Sequence, residues 1–326
     1  MPAVITHYLM GQAALKKMND PWLKTLISKN MDAFSIGAQG PDILFFALGD
    51  KELNLTGNAM HESGISSFYS AAIAAAKSAV EESKDIIISY MCGFLCHYAL
   101  DTCTHPYIYF KTGFTDDKGS LKDMEKKRHR FLETTIDCLL CEKLGGMSPY
   151  KMNISKKILV AGKGRKVISQ FLSQTIQAAY GLEKEPADYA KAMKDMAFIY
   201  RLFRDKSGRR RALASFAGKL FRDSGATAAL IHYSDVKESV DYLNMDHNLW
   251  CFPWDEDIEL NLSFMDLYNR AVDDAQIYVN SFAKAVKGTL ETKIALSILG
   301  GKNFSTGLES PVRFLYYNKE FARKKK

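Results

Sequence analysis

The stretch that decides the fold reads Gly93-Phe-Leu-Cys-His97-Tyr-Ala-Leu-Asp101-Thr-Cys-Thr-His105-Pro106. In an α-helix each residue advances by about 100°, so residues four apart differ by only about 40° around the axis. His97, Asp101 and His105 therefore form one ridge on a single helical face. Neutral imidazole nitrogens around an anionic oxygen suit Zn²⁺. The pattern predicts a helix that carries metal ligands.

A second ridge of the same kind is formed by His129 and Glu133, again four residues apart. Two antiparallel helices would bring both ridges together, as in bundles whose metal ligands project inward. Asp137 continues the same face, and we interpret it as an outer partner that orients a ligating histidine. His232 and His247 each stand alone in the sequence and are left out of the candidate site.

The cysteines are not predicted to bind metal. Cys92, Cys96 and Cys103 lie roughly 140–180° from the first ridge on the helical wheel, and free cysteine usually packs as a small core residue. Cys138 and Cys141 form one C-x2-C pair without a second pair, which argues against a zinc ribbon. Six cysteines in 326 residues also lack the density of a disulfide scaffold, so we expect thiols in a reducing compartment.

Apolar residues recur at helical spacing along most of the chain, and only eight prolines interrupt them. The spacing predicts helices over 10–17, 63–82, 84–103, 122–144, 155–179, 186–203, 211–224 and 264–286. Strand signals are weak, so we predict an all-α fold. The helix of the first ridge is expected to end at His105, because the residue before a proline disfavours the α region.

We divide the chain into a metal-binding helical core, residues 1–150, and additional helices, residues 151–326, that complete or cover it. The second part contains a basic segment at 201–222, and the whole chain has a net charge of +7. A basic balance suits an anionic partner such as phosphate, phospholipid headgroups or nucleic acid, although such a run is often only a solvated face. Trp250 and Trp254 flank Pro253 and predict a rigid loop packed over the bundle.

The hydropathy and the first residues favour a cytoplasmic protein. No apolar run approaches the ~20 residues that span a bilayer, since the stretch 86–100 is broken by Ser89, Gly93 and His97. The start, Met-Pro-Ala-Val-Ile-Thr-His, lacks the parts of a secretory signal. We therefore expect neither a signal peptide nor a transmembrane segment.

Taken together, these residues resemble the zinc-dependent phospholipase C family. That family includes the bacterial phospholipases C and the catalytic module of glycosylphosphatidylinositol-specific phospholipase D, with the S1/P1 nucleases as distant relatives. The resemblance covers residues 1–140 well, the rest loosely, and is nearest to a cytoplasmic branch. The matching elements are Thr6-His7, Gly37-Ala-Gln-Gly-Pro-Asp42, Met60-His61, the first ridge and the second ridge. The resemblance implies a multi-helix phospholipase C/P1 nuclease-like bundle with a metal site between helices.

The resemblance also implies a role for each side chain. One zinc ion would be surrounded by Asp42, His61, His97 and Asp101. A second would be held by His105, His129 and Glu133. Asp101 would reach towards a third ion shared with His7. Asp42 is also the candidate catalytic residue that orients or deprotonates the attacking water, and the turn made by Gly37, Gly40 and Pro41 would present its carboxylate.

The sequence departs from the secreted members at one point. In those proteins the N-terminal amine helps to bind the third zinc, and the first residue is often tryptophan. Here the first residue would be Met1 or Pro2, and no tryptophan precedes Pro21. His7 with Asp101 makes a poor third site, because a tight zinc usually has four ligands. Two zinc ions are therefore expected, with a third as the open alternative.

The implied activity is hydrolysis of a phosphodiester by metal-bound hydroxide, as in phospholipase C. The implied partners are a phosphate-ester substrate, with phospholipid as the leading candidate, and the surface of an anionic membrane; nucleic acid ranks below them. Aromatic residues at such spacing more often pack in the core. Seven are nevertheless candidates for an apolar rim of the site, with Tyr107 and Tyr109 the likelier exposed: Tyr8, Phe45, Phe46, Phe68, Tyr107, Tyr109 and Phe110. Two alternatives stay open, namely a nuclease or nucleotide phosphatase on the same metals, and a non-catalytic helical module stabilised by zinc.

Overall fold

A computed structural model describes residues 4–114, 120–160, 162–220, 228–234, 236 and 240–318, without the side chains of 120, 121 and 217–220. The α-helices are α1 (Val4–Lys17), α2 (Pro21–Lys29), α3 (Met31–Gly37), α4 (Lys51–Glu62), α5 (Ile65–Ser78), α6 (Glu81–Thr112), α7 (Ser120–Lys143), α8 (Pro149–Met152), α9 (Ile154–Lys157), α10 (Arg165–Tyr180), α11 (Pro186–Leu202), α12 (Arg209–Leu220), α13 (Phe264–Lys287) and α14 (Thr292–Leu299). Short 3-10 helices occupy Gly40–Phe46, Gly162–Gly164 and Ala228–Leu230. The all-α prediction is confirmed.

Two short strands, β1 (Trp250–Phe252) and β2 (Asp255–Leu260), form an antiparallel hairpin with Trp250 opposite Leu260. The sequence predicted a rigid loop in this place. The Trp250 ring is buried and packs edge-on against Tyr107 of α6, so the hairpin does lie over the helical bundle.

The 32-residue helix α6 is the centre of the bundle. Nearly every side chain between Ile87 and Ile108 is buried, and α3, α5, α10 and α13 all pack along it. By length and composition α6 could cross a membrane, but 89% of its most apolar window is buried inside the protein. Such burial is typical of a helix in a protein core. The cytoplasmic location stays a prediction.

The predicted end of this helix at His105 is wrong, because α6 continues through Pro106 to Thr112. Proline has no N–H, so the carbonyl of Thr102 lacks its helical hydrogen bond. That carbonyl faces Gly307, where a Cβ atom would lie only 2.5 Å from the oxygen. Packing on both sides of α6 outweighs the local cost of the proline, about 3 kcal/mol. His105 therefore lies within the helix.

Helix α3 approaches α6 closely at two glycines. A Cβ atom on Gly37 would lie 2.0 Å from the carbonyl oxygen of Tyr90, and one on Gly93 would lie 2.2 Å from the carbonyl oxygen of Phe34. Both obstacles are backbone atoms of packed helices, which cannot rotate away. Only glycine at both positions allows the two helix backbones to come this close.

We expect Gly93→Ala to lower the free energy of unfolding by about 3 kcal/mol or more, because a methyl group forced into a packed core costs ~1–3 kcal/mol even where side chains can adjust. Urea denaturation measures the change. Gly11→Ala in α1 is the matched control, since the nearest atoms to its Cβ would be side-chain atoms, the Phe34 ring edge at 3.1 Å and the Ala38 Cβ at 3.7 Å. Equal stability of Gly93→Ala and the unaltered protein would contradict the account.

The sequence pattern missed α2, α3, α4, α8 and α14, each of 12 residues or fewer. The caps of two of them were visible signals. The Asp20 side chain accepts a hydrogen bond from Leu23 N–H at the start of α2, and Asp50 accepts one from Leu53 N–H at the start of α4. The predicted helix over 155–179 begins properly only at Arg165. Residues 221–224 of the predicted helix 211–224 lie outside the described residues.

Candidate metal centre

All eight predicted site residues converge on one place in the bundle. Helix α1 contributes His7, the first 3-10 helix Asp42, and α4 His61. The long helix α6 contributes His97, Asp101 and His105, and α7 contributes His129 and Glu133. Seven of the eight line a cavity of about 420 Å³, while His97 is fully buried behind it.

The Asp101 carboxylate lies at the centre of this cluster, surrounded by four imidazoles. Its Oδ1 is 3.3 Å from His7 Nε2, and its Oδ2 is 3.1 Å from His97 Nε2. The same Oδ2 is 3.9 Å from His61 Nε2 and 3.8 Å from His105 Nδ1. Each carboxylate oxygen thus faces a different set of ring nitrogens, which is the arrangement that a carboxylate shared between cations requires.

Three sets of potential ligand atoms lie within 4.8 Å of one another, close enough to share one cation. The first set is His7, Asp42 and His97. The second is His61, His97 and Asp101. The third is His105, His129 and Glu133. Tetrahedral zinc with ligand bonds near 2.0–2.2 Å brings its donors to separations of this order.

The turn that presents Asp42 depends on Gly40. Its φ of +52° lies in the left-handed region, and a Cβ atom there would lie 2.3 Å from the His97 ring. Glycine is the residue that both adopts this conformation and lets the backbone pass so close to an imidazole. Asp42 Oδ1 then lies 3.1 Å from His61 Nε2. The predicted presentation of Asp42 by a tight turn agrees with this geometry.

Backbone carbonyls orient two of the histidines. His61 Nδ1 is 2.7 Å from the Gly57 carbonyl oxygen, and His105 Nδ1 is 2.9 Å from that of Phe304. Because a carbonyl only accepts hydrogen bonds, the neutral rings carry their proton on Nδ1 and direct the Nε2 lone pair into the site. Metal-binding histidines are commonly oriented in this way.

Several polar atoms of the cluster have no hydrogen bond within the described part of the chain. Both nitrogens of His97 and the Nδ1 of His7 are buried and lack a hydrogen-bond partner. His97 Nε2 is near Asp101 Oδ2, but the two atoms are not aligned for a hydrogen bond. Buried polar atoms normally have a partner. A cation among converging imidazoles and carboxylates would supply it, so the donor set fits zinc.

The three carboxylates are anionic despite their burial. Burial alone would raise the pKa of Asp101, but the imidazoles of His105, His97 and His7 hold it well below its usual range. The nearby imidazoles of His61 and His97 likewise overcome burial and lower the pKa of Asp42. The pKa of Glu133 is held well below its ordinary value against burial by His129. Three buried negative charges in one cavity favour occupation by divalent cations.

The pKa values of four of the candidate histidine ligands shift, two of them upward and two downward. Burial would lower the pKa of His105, but Asp101 and Glu133 outweigh it and raise that pKa to about 9. Asp101 raises the pKa of His7 in the same way. Burial dominates at His97 and His129 and lowers their pKa values.

The aromatic rim differs from the prediction. Of the seven predicted residues, Phe45 and Tyr109 line the cavity. Tyr107 was expected to be exposed but is fully buried, and its hydroxyl donates a hydrogen bond to the Tyr242 carbonyl at 2.9 Å. The error follows from the helix end, because continuation of α6 past Pro106 directs residue 107 into the core. The remaining four rings are buried or half-buried against the core: Tyr8, Phe46, Phe68 and Phe110.

Sequence reasoning missed the polar wall of the cavity: Asn54, Asn58, Glu62, Lys122, Glu125, Lys126, Arg130 and Ser305. A signal for part of it was available. Lys126 and Arg130 are four residues apart and flank His129 on the same helix, so they must lie near its face. These two cations face the space above the carboxylate cluster.

Asp137 does not hydrogen-bond a candidate metal ligand, so its predicted mode of action is wrong. Its carboxylate accepts hydrogen bonds from the backbone N–H groups of Ile5 at 3.0 Å and Thr6 at 2.7 Å, and from the Thr6 hydroxyl. His232 Nε2 lies 2.8 Å from the same carboxylate. N–H groups in the first turn of a helix have no helical acceptor. Asp137 therefore caps the start of α1, the helix that carries His7.

None of the six cysteines, all free thiols, takes part in these clusters. Cys92 and Cys96 are fully buried in the core, and burial raises the pKa of Cys96 to about 12. These thiols are therefore neutral packing residues, as their position on the helical wheel indicates.

A profile of the zinc dependent phospholipase C family matches residues 6–189, more than half of the chain. The chain belongs to this family. The matched region contains all eight residues of the cluster described above, from His7 to Glu133. Searches of curated proteins and of solved structures each found no significant match. Membership confirms the family resemblance and indicates a zinc-dependent hydrolase acting on phosphate-ester or lipid substrates.

Proposed function

We propose that this protein is a zinc-dependent phosphoesterase that hydrolyses a phosphodiester in the manner of phospholipase C. One observation carries the proposal: Asp101 faces four imidazole nitrogens at 3.1–3.9 Å and lines a cavity of about 420 Å³, so the ligand cluster faces an open space. A structural zinc site closes its shell with four protein ligands and leaves no such space.

Two ions are assigned. The first would be held by Asp42, His61, His97 and Asp101, and the second by His105, His129 and Glu133. His7 lies within reach of Asp101, Asp42 and His97, and this supports a third position. Bound zinc supplies an acidified water and neutralises the charge of the phosphate.

The remaining chemistry falls to the protein side chains. Asp42 is anionic because its pKa is lowered, and it can accept a proton or a hydrogen bond from the attacking water. His61 Nε2 lies 3.1 Å from Asp42 Oδ1, so the two side chains would face the same ion. Lys126 and Arg130 offer positive charge to phosphate oxygens at the cavity wall. Phe45 and Tyr109 provide apolar contact to the rest of the substrate.

Elemental analysis and a substrate panel test the proposal together. We expect about two zinc ions per chain, turnover of at least one phosphodiester, loss of turnover on chelation and recovery with zinc. His247→Ala changes an exposed histidine outside the cluster and should leave both measurements unaltered. Absence of zinc after loading, or full zinc without turnover of any phosphodiester or phosphomonoester, contradicts the assignment; the second outcome supports a zinc-stabilised module.

A nuclease or nucleotide phosphatase on the same metals is the second candidate. The cavity-lining rings of Phe45 and Tyr109, beside Lys126 and Arg130, would allow a base to stack near a bound phosphate. Salt-sensitive affinity for single-stranded DNA and its cleavage would favour this alternative. Turnover of phosphatidylcholine micelles would favour the phospholipase.

Zinc affinity of the metal-free protein is expected to rise with pH between 7 and about 9. The pKa of His105 is raised to about 9, so the ring holds an extra proton at pH 7 that must leave before Nε2 can bind a metal. The expected gain approaches tenfold per pH unit below that pKa. Competition with a chromophoric chelator, corrected for the chelator's own titration, measures it. An affinity that does not change with pH would contradict the raised pKa.

A further inference from the structure

The end of α11 and the beginning of α12 expose four large apolar side chains. Phe198 is 47% exposed, Leu202 55%, Leu213 68% and Phe216 67%. The first two are four residues apart and the last two are three apart, so each pair forms a ridge on its own helix. Grouped apolar exposure of this kind marks interaction sites more often than isolated exposed residues do.

A short turn joins the two ridges. Arg210 donates a hydrogen bond from its guanidinium to the Leu202 carbonyl at 2.7 Å, which ties the start of α12 to the end of α11. Asp205 accepts hydrogen bonds from the backbone N–H groups of Ser207 and Arg211 within the turn. We call the two ridges and the exposed cations between them, Arg201, Lys206 and Arg209, the α11–α12 face.

The charge of this segment is strongly positive. Between residues 198 and 216 the sequence has six basic residues and one acidic residue, Asp205. Asp205 is already engaged by backbone N–H groups. Within the described ranges, no carboxylate lies in ion-pair distance of Arg201, Lys206 or Arg209. The Arg201 guanidinium lies 5.5 Å from the centroid of the Phe198 ring, and all three side chains are exposed, so they can still contact an external anion.

Of the partners that such a surface could take, an anionic bilayer fits both of its properties. Interfacial helices combine a Leu- and Phe-containing ridge with flanking Lys and Arg. A nucleic acid would engage the cations but leave Leu213 and Phe216 in water. A second copy of this chain would bring the same cations together, in a protein whose net charge is already +7.

The α11–α12 face is attached to the segment that carries the site. The backbone N–H of Leu48 donates to Asp195 of α11 at 3.0 Å, and Lys191 of α11 donates to the Leu48 carbonyl at 2.9 Å. Helix α11 also packs on the 3-10 helix that holds Asp42 and Phe45. A docked α11 would thus hold this part of the cavity wall near the lipid surface.

We propose that the α11–α12 face docks the protein on anionic phospholipid bilayers. Phe198, Leu202, Leu213 and Phe216 enter the boundary between headgroups and acyl chains. The cations of the face contact the lipid phosphates and carboxylates. The inference deepens the proposed function by identifying the substrate surface, yet bilayer binding itself needs neither zinc nor turnover.

Co-sedimentation of the full chain with vesicles tests the proposal. We expect the partition coefficient to be at least tenfold higher on phosphatidylcholine mixed with phosphatidylserine than on phosphatidylcholine alone, and to fall as salt increases. Lys206→Glu with Arg209→Glu should lower it at least tenfold, since each cation near an anionic surface contributes about fivefold. Leu213→Ser with Phe216→Ser should lower it at least tenfold as well.

Matched variants separate docking from general effects. Lys163→Glu with Lys166→Glu removes the same charge elsewhere, and Ile277→Ser with Ile294→Ser removes apolar residues that are 55% and 45% exposed on other helices. Both should bind within about twofold of the unaltered protein. Glutamate in the first turn of α12 suits the helix dipole, so Arg209→Glu should fold normally.

Three results would overturn the proposal. They are no bilayer binding, whether or not the protein binds DNA, equal loss in face and control variants, or a dimer in solution that Leu213→Ser with Phe216→Ser dissociates. Zinc content and turnover of a soluble phosphodiester are measured on the same preparations. If these fail while vesicles still bind, the proposed function is wrong and the docking surface stands.

Discussion

Replacing Asp101 with asparagine is expected to abolish phosphodiester hydrolysis, with kcat falling at least about 10³-fold. The carboxylate faces ring nitrogens of His7, His61, His97 and His105. Its charge would therefore support the ion assigned to Asp42, His61, His97 and Asp101, and also the third position beside His7. Asparagine keeps the shape and removes the charge. Kinetics on the diester found active in the substrate panel, with elemental analysis of the same sample, measures both losses.

Asp123→Asn is the control for that experiment. It makes the same chemical change at an exposed position of α7, outside the cavity lining, and should preserve turnover and zinc content. If Asp101→Asn kept full turnover and full zinc, the assignment of the centre would be wrong. Loss of zinc with unchanged far-ultraviolet circular dichroism would separate a metal effect from unfolding.

Replacing Asp137 with alanine is expected to lower the free energy of unfolding by about 3–5 kcal/mol, the usual cost of breaking a buried charged network. The carboxylate is fully buried and accepts from Ile5, Thr6 and His232. Alanine leaves all these donors without an acceptor. Each buried donor that loses its hydrogen bond lowers the stability by about 1–3 kcal/mol. Urea denaturation of the metal-free protein measures the change.

Glu142→Ala on the exposed side of the same helix is the comparison, with an expected effect within about 0.5 kcal/mol. Because Asp137 caps α1, its loss should also displace His7. We therefore expect Asp137→Asn, which stays folded more readily, to weaken zinc binding at the position His7 shares with Asp101. If the Asp137→Asn protein is folded and its zinc affinity is unchanged, Asp137 contributes to stability and does not position His7.

Residue spacing predicted ligand residues correctly placed on the cavity where all the residues of a pattern lie on one helix. The ridges His97/Asp101/His105 and His129/Glu133 follow from helical geometry alone, and the structure places both on the cavity. By contrast, His7, Asp42 and His61 belong to three further segments, and nothing in their own spacing links them. Their place in the site came from the family resemblance, because convergence of distant segments depends on packing.

Errors arose where tertiary packing outweighed a local rule. Pro106 predicts a helix end, but the bundle around α6 and the close passage of Gly307 keep the helix intact. That one difference buries Tyr107, which local reasoning had placed at the exposed rim. Asp137 shows the same limit. Its position on the ligand face indicated a metal-ligating histidine as its partner, but the fold brings it the start of α1 and His232, which is outside the candidate site.

The sequence by itself determined the helical class, the ligand ridges and the glycine turn before Asp42, because these depend on residue types at short spacing. Only the tertiary structure decided which polar atoms meet at Asp101, how His232 and Asp137 hold α1, and which apolar residues of α11 and α12 remain exposed. The physical reason is that burial and long-range contacts are properties of packed surfaces, and a linear pattern does not specify which surfaces meet.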